Sequence, residues 1–234
     1  MNVLDSSFLT CEHVASPPIN MKRTSRLLLS ALALTAASSA AFAQTSQKIS
    51  IQGSGLFAQL YGQAFDDIKD GVGGELQLRY TPSAFSFGGG VQFTAHDVAE
   101  GVSDVFSKVK LTGFFFEPRY VIDVGSSKYA PYLSGRFALS KMKFEVQDGV
   151  LPPGFRADLT EPTGPTINGG GGLLFRLGAR ANLDLGVTFG YTKFDDIRLR
   201  IIDDSGTEVL NESFEVGSGT NAVFRLGLAF GLGG

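Results

Sequence analysis

Between Gly73 and His96 the chain reads GGELQLRYTPSAFSFGGGVQFTAH, and its apolar residues fall on alternate positions. Leu76, Leu78 and Tyr80 alternate with Glu75, Gln77 and Arg79. Beyond the TPSA break, Phe85, Phe87, Val91 and Phe93 are interleaved with Ser86, Gln92 and Thr94. A period of two marks a β-strand with one apolar and one polar face. The same pattern predicts eight strands: Ile49–Tyr61, Val72–Tyr80, Phe85–Thr94, Val109–Val124, Tyr129–Ser140, Ile167–Leu177, Leu183–Thr192 and Ala222–Leu232. Two of them change phase. In the first, Ile49 and Ile51 share one parity and Leu56 and Leu60 the other, which predicts a β-bulge near Gly53 or Gly55. The fourth is regular where Phe114, Phe116, Tyr120 and Ile122 oppose Glu117, Arg119 and Asp123, but its upper end slips. In the sixth, Leu174 interrupts the polar face.

The connections alternate in length. Residues 81–84, 125–128 and 178–182 are short; 62–71, 95–108, 141–166 and 193–221 are long. Short turns at one end and long loops at the other are the pattern of a transmembrane barrel, and strands of about 9–11 residues suffice to cross a bilayer at a tilt. The expected fold is therefore all-β: an eight-stranded antiparallel up-and-down transmembrane β-barrel. The composition decides which face points inward. A soluble barrel would solvate its non-apolar face with many Lys and Glu. Here that face carries Gly88, Gly90, Gly170, Gly172, Gly186, Gly227 and Gly231, with Ser, Thr and few charges. Small residues suit a narrow lumen and the Phe/Leu face suits lipid, because only closed barrels and helices span a bilayer with every backbone polar group satisfied. The rival reading is a soluble periplasmic, lipocalin-like barrel binding an apolar ligand.

The N-terminus reads as a targeting segment. Met21-Lys22-Arg23-Thr24-Ser25-Arg26 is basic, LLLSALALTAA follows, and Ala41-Phe42-Ala43 is a cleavage site. The expected organisation is an upstream extension over 1–20, a signal peptide over 21–43, and the barrel domain over 44–234. The first twenty residues lack signal logic, which points to translation starting at Met21, the alternative being an extended n-region. Beyond residue 43 there is no Cys and His96 is the single His, so thiol chemistry and most metal sites are excluded. No cofactor and no metal ligands are expected. A net charge of −3 gives no case for nucleic acid.

The segments GGELQLRY, FFFEPRYVIDV, APYLSGRFALS and FRLGLAFGL resemble the small eight-stranded outer-membrane barrels of Gram-negative bacteria, the OmpA-type and opacity-protein-like family. The likeness covers Ile49 to Leu232. It implies residence in the bacterial outer membrane, contact with outer-membrane lipid and lipopolysaccharide, delivery by the barrel-assembly machinery, and a non-enzymatic, structural or surface-interaction role. Members often end on an aromatic residue; here Phe230 is followed by Gly231-Leu232-Gly233-Gly234.

Five charged residues share the inward face near mid-height: Glu75, Glu117, Arg119, Arg136 and Arg225. Arg79, Asp123, Arg176 and Asp184 fall nearer the short-turn rim. Buried charges must pair, so the five are expected to form an interior network around Glu117 that plugs the lumen, with Tyr132, water or an anion completing the set. The sharper reading is a narrow gated pore in which an Arg exchanges carboxylate partners. The glycine run 169–172 lies in a strand pattern and is not a phosphate cradle. DDSG at 203–206 reads as a hairpin turn, with calcium binding as a remote alternative. His96, beside Asp97, Ser103 and Ser107, raises a lipid-hydrolase reading, against the plainer one of a solvated rim histidine. The long loops, including FDDIKD and HDVAEGVSD, are polar and acidic and are the natural place for an extracellular ligand.

Overall fold

The computed structural model describes residues 47–100, 105–147 and 154–232. The proposed extension and signal peptide, and Ser103, lie outside the described residues. Eleven strands form: β1 (Ile49–Tyr61), β2 (Ile68–Tyr80), β3 (Phe85–Val98), β4 (Phe106–Val121), β5 (Tyr129–Val146), β6 (Phe155–Leu159), β7 (Thr163–Arg176), β8 (Ala181–Lys193), β9 (Ile197–Asp203), β10 (Glu208–Phe214) and β11 (Ser218–Leu232). Eight of them close into an antiparallel barrel in the order β1-β2-β3-β4-β5-β7-β8-β11, with β11 returning to β1. The seam runs without interruption from Ile49 opposite Leu232 to Tyr61 opposite Thr220. Closure leaves no unpaired edge in the ring.

The faces sort by chemistry. Leu76 is 52% exposed, and Leu78, Tyr80, Phe93, Phe114, Leu133, Phe137, Leu139, Phe189 and Leu226 also point outward. Between them Glu75, Gln77, Arg79, Glu117, Arg119, Arg136, Asp184 and Arg225 are buried in the lumen. Aromatic residues of neighbouring strands also meet, Phe57 with Phe224 and Phe85 with Tyr120. An apolar exterior around a polar interior is the reverse of a soluble barrel, so the lipocalin-like alternative fails.

The register corrects the expected bulge in β1. Pairing with both neighbours is continuous through Gly53 and Gly55. Ser50, Gln52, Leu56, Ala58 and Leu60 are all buried on one parity. The chain keeps its phase; the lumen changes its chemistry. Its upper end, toward the long loops, holds an apolar plug of Leu60, Ala64, Phe65, Val98, Val109, Met142 and Phe194. The apparent slip in the fourth strand has the same cause, since Val109 and Glu117 share the inward parity. Leu174 likewise faces inward, beside Val121, Ala130 and Tyr132. β4 ends at Val121, so Asp123 is in the turn, where its Oδ1 accepts the Gly125 amide at 2.8 Å.

The strands also run farther toward the long loops than the alternation predicts; β5 reaches Val146 and β2 begins at Ile68. Two of those loops then build a second sheet, β10-β9-β6. DDSG is the turn of its β9–β10 hairpin. There the Ser205 hydroxyl and then the Thr207 amide donate to Asp203 and hold its carboxyl below the usual range.

Candidate functional site

Alternate residues of β2, β4, β5, β8 and β11 enter the lumen at neighbouring heights, and their charges meet. Glu117 is at the centre and has no exposed surface. Its Oε1 accepts Arg79 Nη2 at 2.8 Å and Arg119 Nη2 at 2.7 Å. Its Oε2 accepts Arg136 Nη2 at 2.5 Å and Arg225 Nη1 at 2.9 Å. Four guanidinium groups from four strands thus converge on one carboxylate. Glu75 pairs with Arg136 at 2.8 Å and Arg225 at 3.2 Å. The five residues singled out in the sequence therefore lie in one connected cluster.

Two further members are residues that a count along the strands places at the rim. Arg79 reaches Glu117, and also donates to Ser86 Oγ at 2.9 Å and Gln77 Oε1 at 2.8 Å. Asp184 pairs with Arg119 at 3.0 Å and accepts Tyr132 Oη at 2.7 Å and Gln52 Nε2 at 2.7 Å. Both have the right parity. The height count misplaces them because strands in a barrel are tilted and staggered, and because an Arg side chain spans roughly a barrel radius. Arg176 is half-buried.

The cluster holds four arginines against three carboxylates, a surplus of one positive charge. Neutral acceptors and ring faces take up the remainder. Gln92 Oε1 accepts Arg136 Nη1 at 2.8 Å, and Tyr132 Oη accepts Arg225 Nη2 at 3.1 Å. The Arg119 guanidinium lies 4.0 Å from the Tyr132 ring centroid and that of Arg136 lies 3.9 Å from the Phe115 centroid. Glycine makes the room. A Cβ on Gly172 or Gly186 would stand 2.6 or 2.5 Å from Tyr132 Oη, and one on Gly88 would stand 2.7 Å from Arg79 Nη2. That is the physical content of the inward glycines.

The charged layer separates two small cavities. One of about 50 Å³ lies above it, walled by Thr94, Thr166, Asn168, Thr188, Thr192 and Asn221 and roofed by Leu60, Phe65 and Phe194. The other, about 20 Å³, lies below among Ser50, Gln52, Ser86 and Asn182. Each has room for a few waters at most.

His96 is not at a solvated rim. β3 continues to Val98, and the parity of His96 carries it inward to 1% exposure. Its Nδ1 donates to the Lys69 carbonyl at 2.9 Å, leaving Nε2 to accept from Thr94 Oγ1 at 2.8 Å. Asp97 points to the opposite face, and the Ser107 hydroxyl is given to the Glu145 carbonyl. Among the described residues no serine completes a triad with it.

Residues 29–230 match the family model described as the outer membrane protein beta-barrel domain. Among solved structures the chain is similar to Neisserial surface protein A, at a TM-score of 0.54 and 14% identity over 79% of this chain and 97% of that one. It is similar to OprG from Pseudomonas aeruginosa, at 0.51 and 13% over 80% and 96%. A major outer membrane protein from Thermus thermophilus gives 0.51 and 17% over 79% and 98%. At such identities the likeness establishes a shared fold. No curated protein matches the sequence.

Proposed function

The chain belongs to the outer membrane protein β-barrel domain family and resides in the bacterial outer membrane; from that premise we propose that it is a closed barrel whose work is done at its surface. The lumen is structural. The long-loop end, with its β10-β9-β6 sheet, is the platform that meets extracellular partners. The observation that carries this reading is the Glu117 cluster, which draws ion pairs from five strands into one layer across the lumen. An eight-stranded barrel is just wide enough to be filled by side chains, and here they are oppositely charged ones that pair with one another. The apolar plug above is a second seal.

Conductance tests it. Purified protein in a planar bilayer is expected to give no stepwise ion current, whereas a steady ohmic pore from the unaltered chain would overturn the closed-lumen reading. In this proposal the short turns face the periplasm. Because the chain beyond residue 43 has no native Cys, Glu212→Cys in β10 should react with a membrane-impermeant thiol reagent on intact cells and Ser127→Cys should not. The reverse labelling would invert the topology.

A further inference from the structure

We propose that the cavity of about 20 Å³ beneath the charged layer binds one small monovalent anion, of the size and charge of chloride, against Arg79. Charge is the first reason. The layer sets Arg79, Arg119, Arg136 and Arg225 against Glu75, Glu117 and Asp184. Gln92, Tyr132 and Phe115 engage donors and guanidinium faces, but none of them carries a compensating charge. Arg176, half-buried on the inward parity of β7, brings a further guanidinium to the lower end, opposite the cavity-lining Asn182. An unbalanced charge taken out of water is expensive, and a bound counter-ion removes the imbalance. A water would satisfy a donor and leave the charge.

Geometry is the second reason. Arg79 is buried and lines this cavity. Its Nη1 and Nη2 are engaged by Ser86, Gln77 and Glu117, but its Nε meets no acceptor among the described residues. Ser86 Oγ accepts from Arg79, so its own proton is left to donate elsewhere. The β1–β2 register sets the buried Ser50 directly opposite Arg79, on the wall of the same space. Donors from three neighbouring strands thus edge one cavity, and no carboxylate lines it. The upper cavity differs. Arg136 on its wall has Nε, Nη1 and Nη2 all taken by Glu117, Gln92 and Glu75, and the hydroxyls of Ser140, Thr166 and Thr192 bond to one another. Size narrows the ligand. The lower space is little larger than one water-sized sphere, which admits a monatomic ion and excludes phosphate or sulfate.

The site rests on the structural reading of the lumen but fails apart from it: bilayer current reports the seal, whereas ion binding is read from stability. The detergent-folded barrel is unfolded in urea at fixed ionic strength, with sodium gluconate replaced stepwise by sodium chloride. Above half-saturation, each tenfold rise in chloride should raise the folding equilibrium constant about tenfold. Bromide should act as chloride does, and crystals grown in bromide should show an anomalous peak against Arg79 Nε and Ser86 Oγ. Arg79→Met leaves three arginines facing three carboxylates and should fold with its chloride dependence gone. If that variant does not fold, the Ser50→Ala, Ser86→Ala double variant keeps the charge and removes two donors. It should need roughly tenfold more chloride for the same stabilisation. Thr188→Val, in the upper cavity, should respond as the unaltered chain does. Stability indifferent to the exchange of gluconate for chloride, a bromide peak only at the protein surface, a chloride response that survives in the Arg79→Met variant, or a response weakened equally by Thr188→Val would each overturn the proposal.

Discussion

Glu117→Ala should destabilise the folded barrel more than any other single truncation in the lumen. Four arginines converge on that carboxylate and only Glu75 and Asp184 remain to balance them. Stranding a buried charge by removing its partner typically costs about 3–5 kcal/mol. Glu117→Ala exceeds a simple pair deletion, because the surplus rises from one positive charge to two in a layer whose charged members are all buried. The change should appear as a lowered urea midpoint in detergent and as a lower temperature at which the folded gel band disappears. Adding Arg136→Met should recover part of the loss, since it removes one guanidinium bound directly to Glu117 and fills the space with apolar volume. An unaltered midpoint in the single variant would mean that water reaches the cluster and screens it.

The second large effect comes from an added side chain. Gly186→Val inserts bulk at a point where even a Cβ would stand 2.5 Å from Tyr132 Oη and 3.1 Å from Arg225 Nη2. Overpacking alone costs about 1–3 kcal/mol. Here Tyr132 would also be pushed off Asp184, whose 2.7 Å hydrogen bond it supplies. The expected loss is therefore at or above the upper end, about 3 kcal/mol. Gly169→Ala is the matched control. It lies on the lipid face of the neighbouring strand with nothing within 4 Å of its Cβ, and should be neutral in the same urea titration. Equal losses in the two would show that the glycines serve the backbone and not the cluster.

The alternation of Leu76-Gln77-Leu78-Arg79-Tyr80 is enough to establish strand, face and barrel, because in a narrow barrel each side chain has only two places to go. The five mid-height charges are legible by parity for the same reason. Parity says nothing of height, however, and so a residue count sets Arg79 and Asp184 at the rim. Nor does it say that the interior is polar throughout. Leu56, Leu60 and Val109 look like slips of register on that assumption, when they mark a change in what fills the lumen. The sheet β10-β9-β6 is legible only as the Asp203 hairpin. Its β6–β9 pairing joins two different loops, and no local pattern in Phe155–Leu159 announces a partner some forty residues away.

The distances along the chain within the charged layer bear on how the protein enters the membrane. Glu75 and Arg225 are 150 residues apart, and Glu117 and Arg225 are 108 apart. The charges of one hairpin find their partners on others: Glu75 and Arg79 of β2 pair with Arg136, Arg225 and Glu117, and the β4–β5 hairpin brings Arg119 and Arg136 with one carboxylate. A partial sheet moving into hydrocarbon would drag bare guanidinium groups with it, which the bilayer core penalises by several kcal/mol each. Assembly is therefore driven toward curling the strands into a nearly complete ring before, or as, they cross, and the last pairing of β11 with β1 is the event that discharges the lumen. Contacts of such long sequence separation are also slow to find. The barrel should behave as a latch: hesitant in solution or at the bilayer surface, and hard to reopen once its seam has closed.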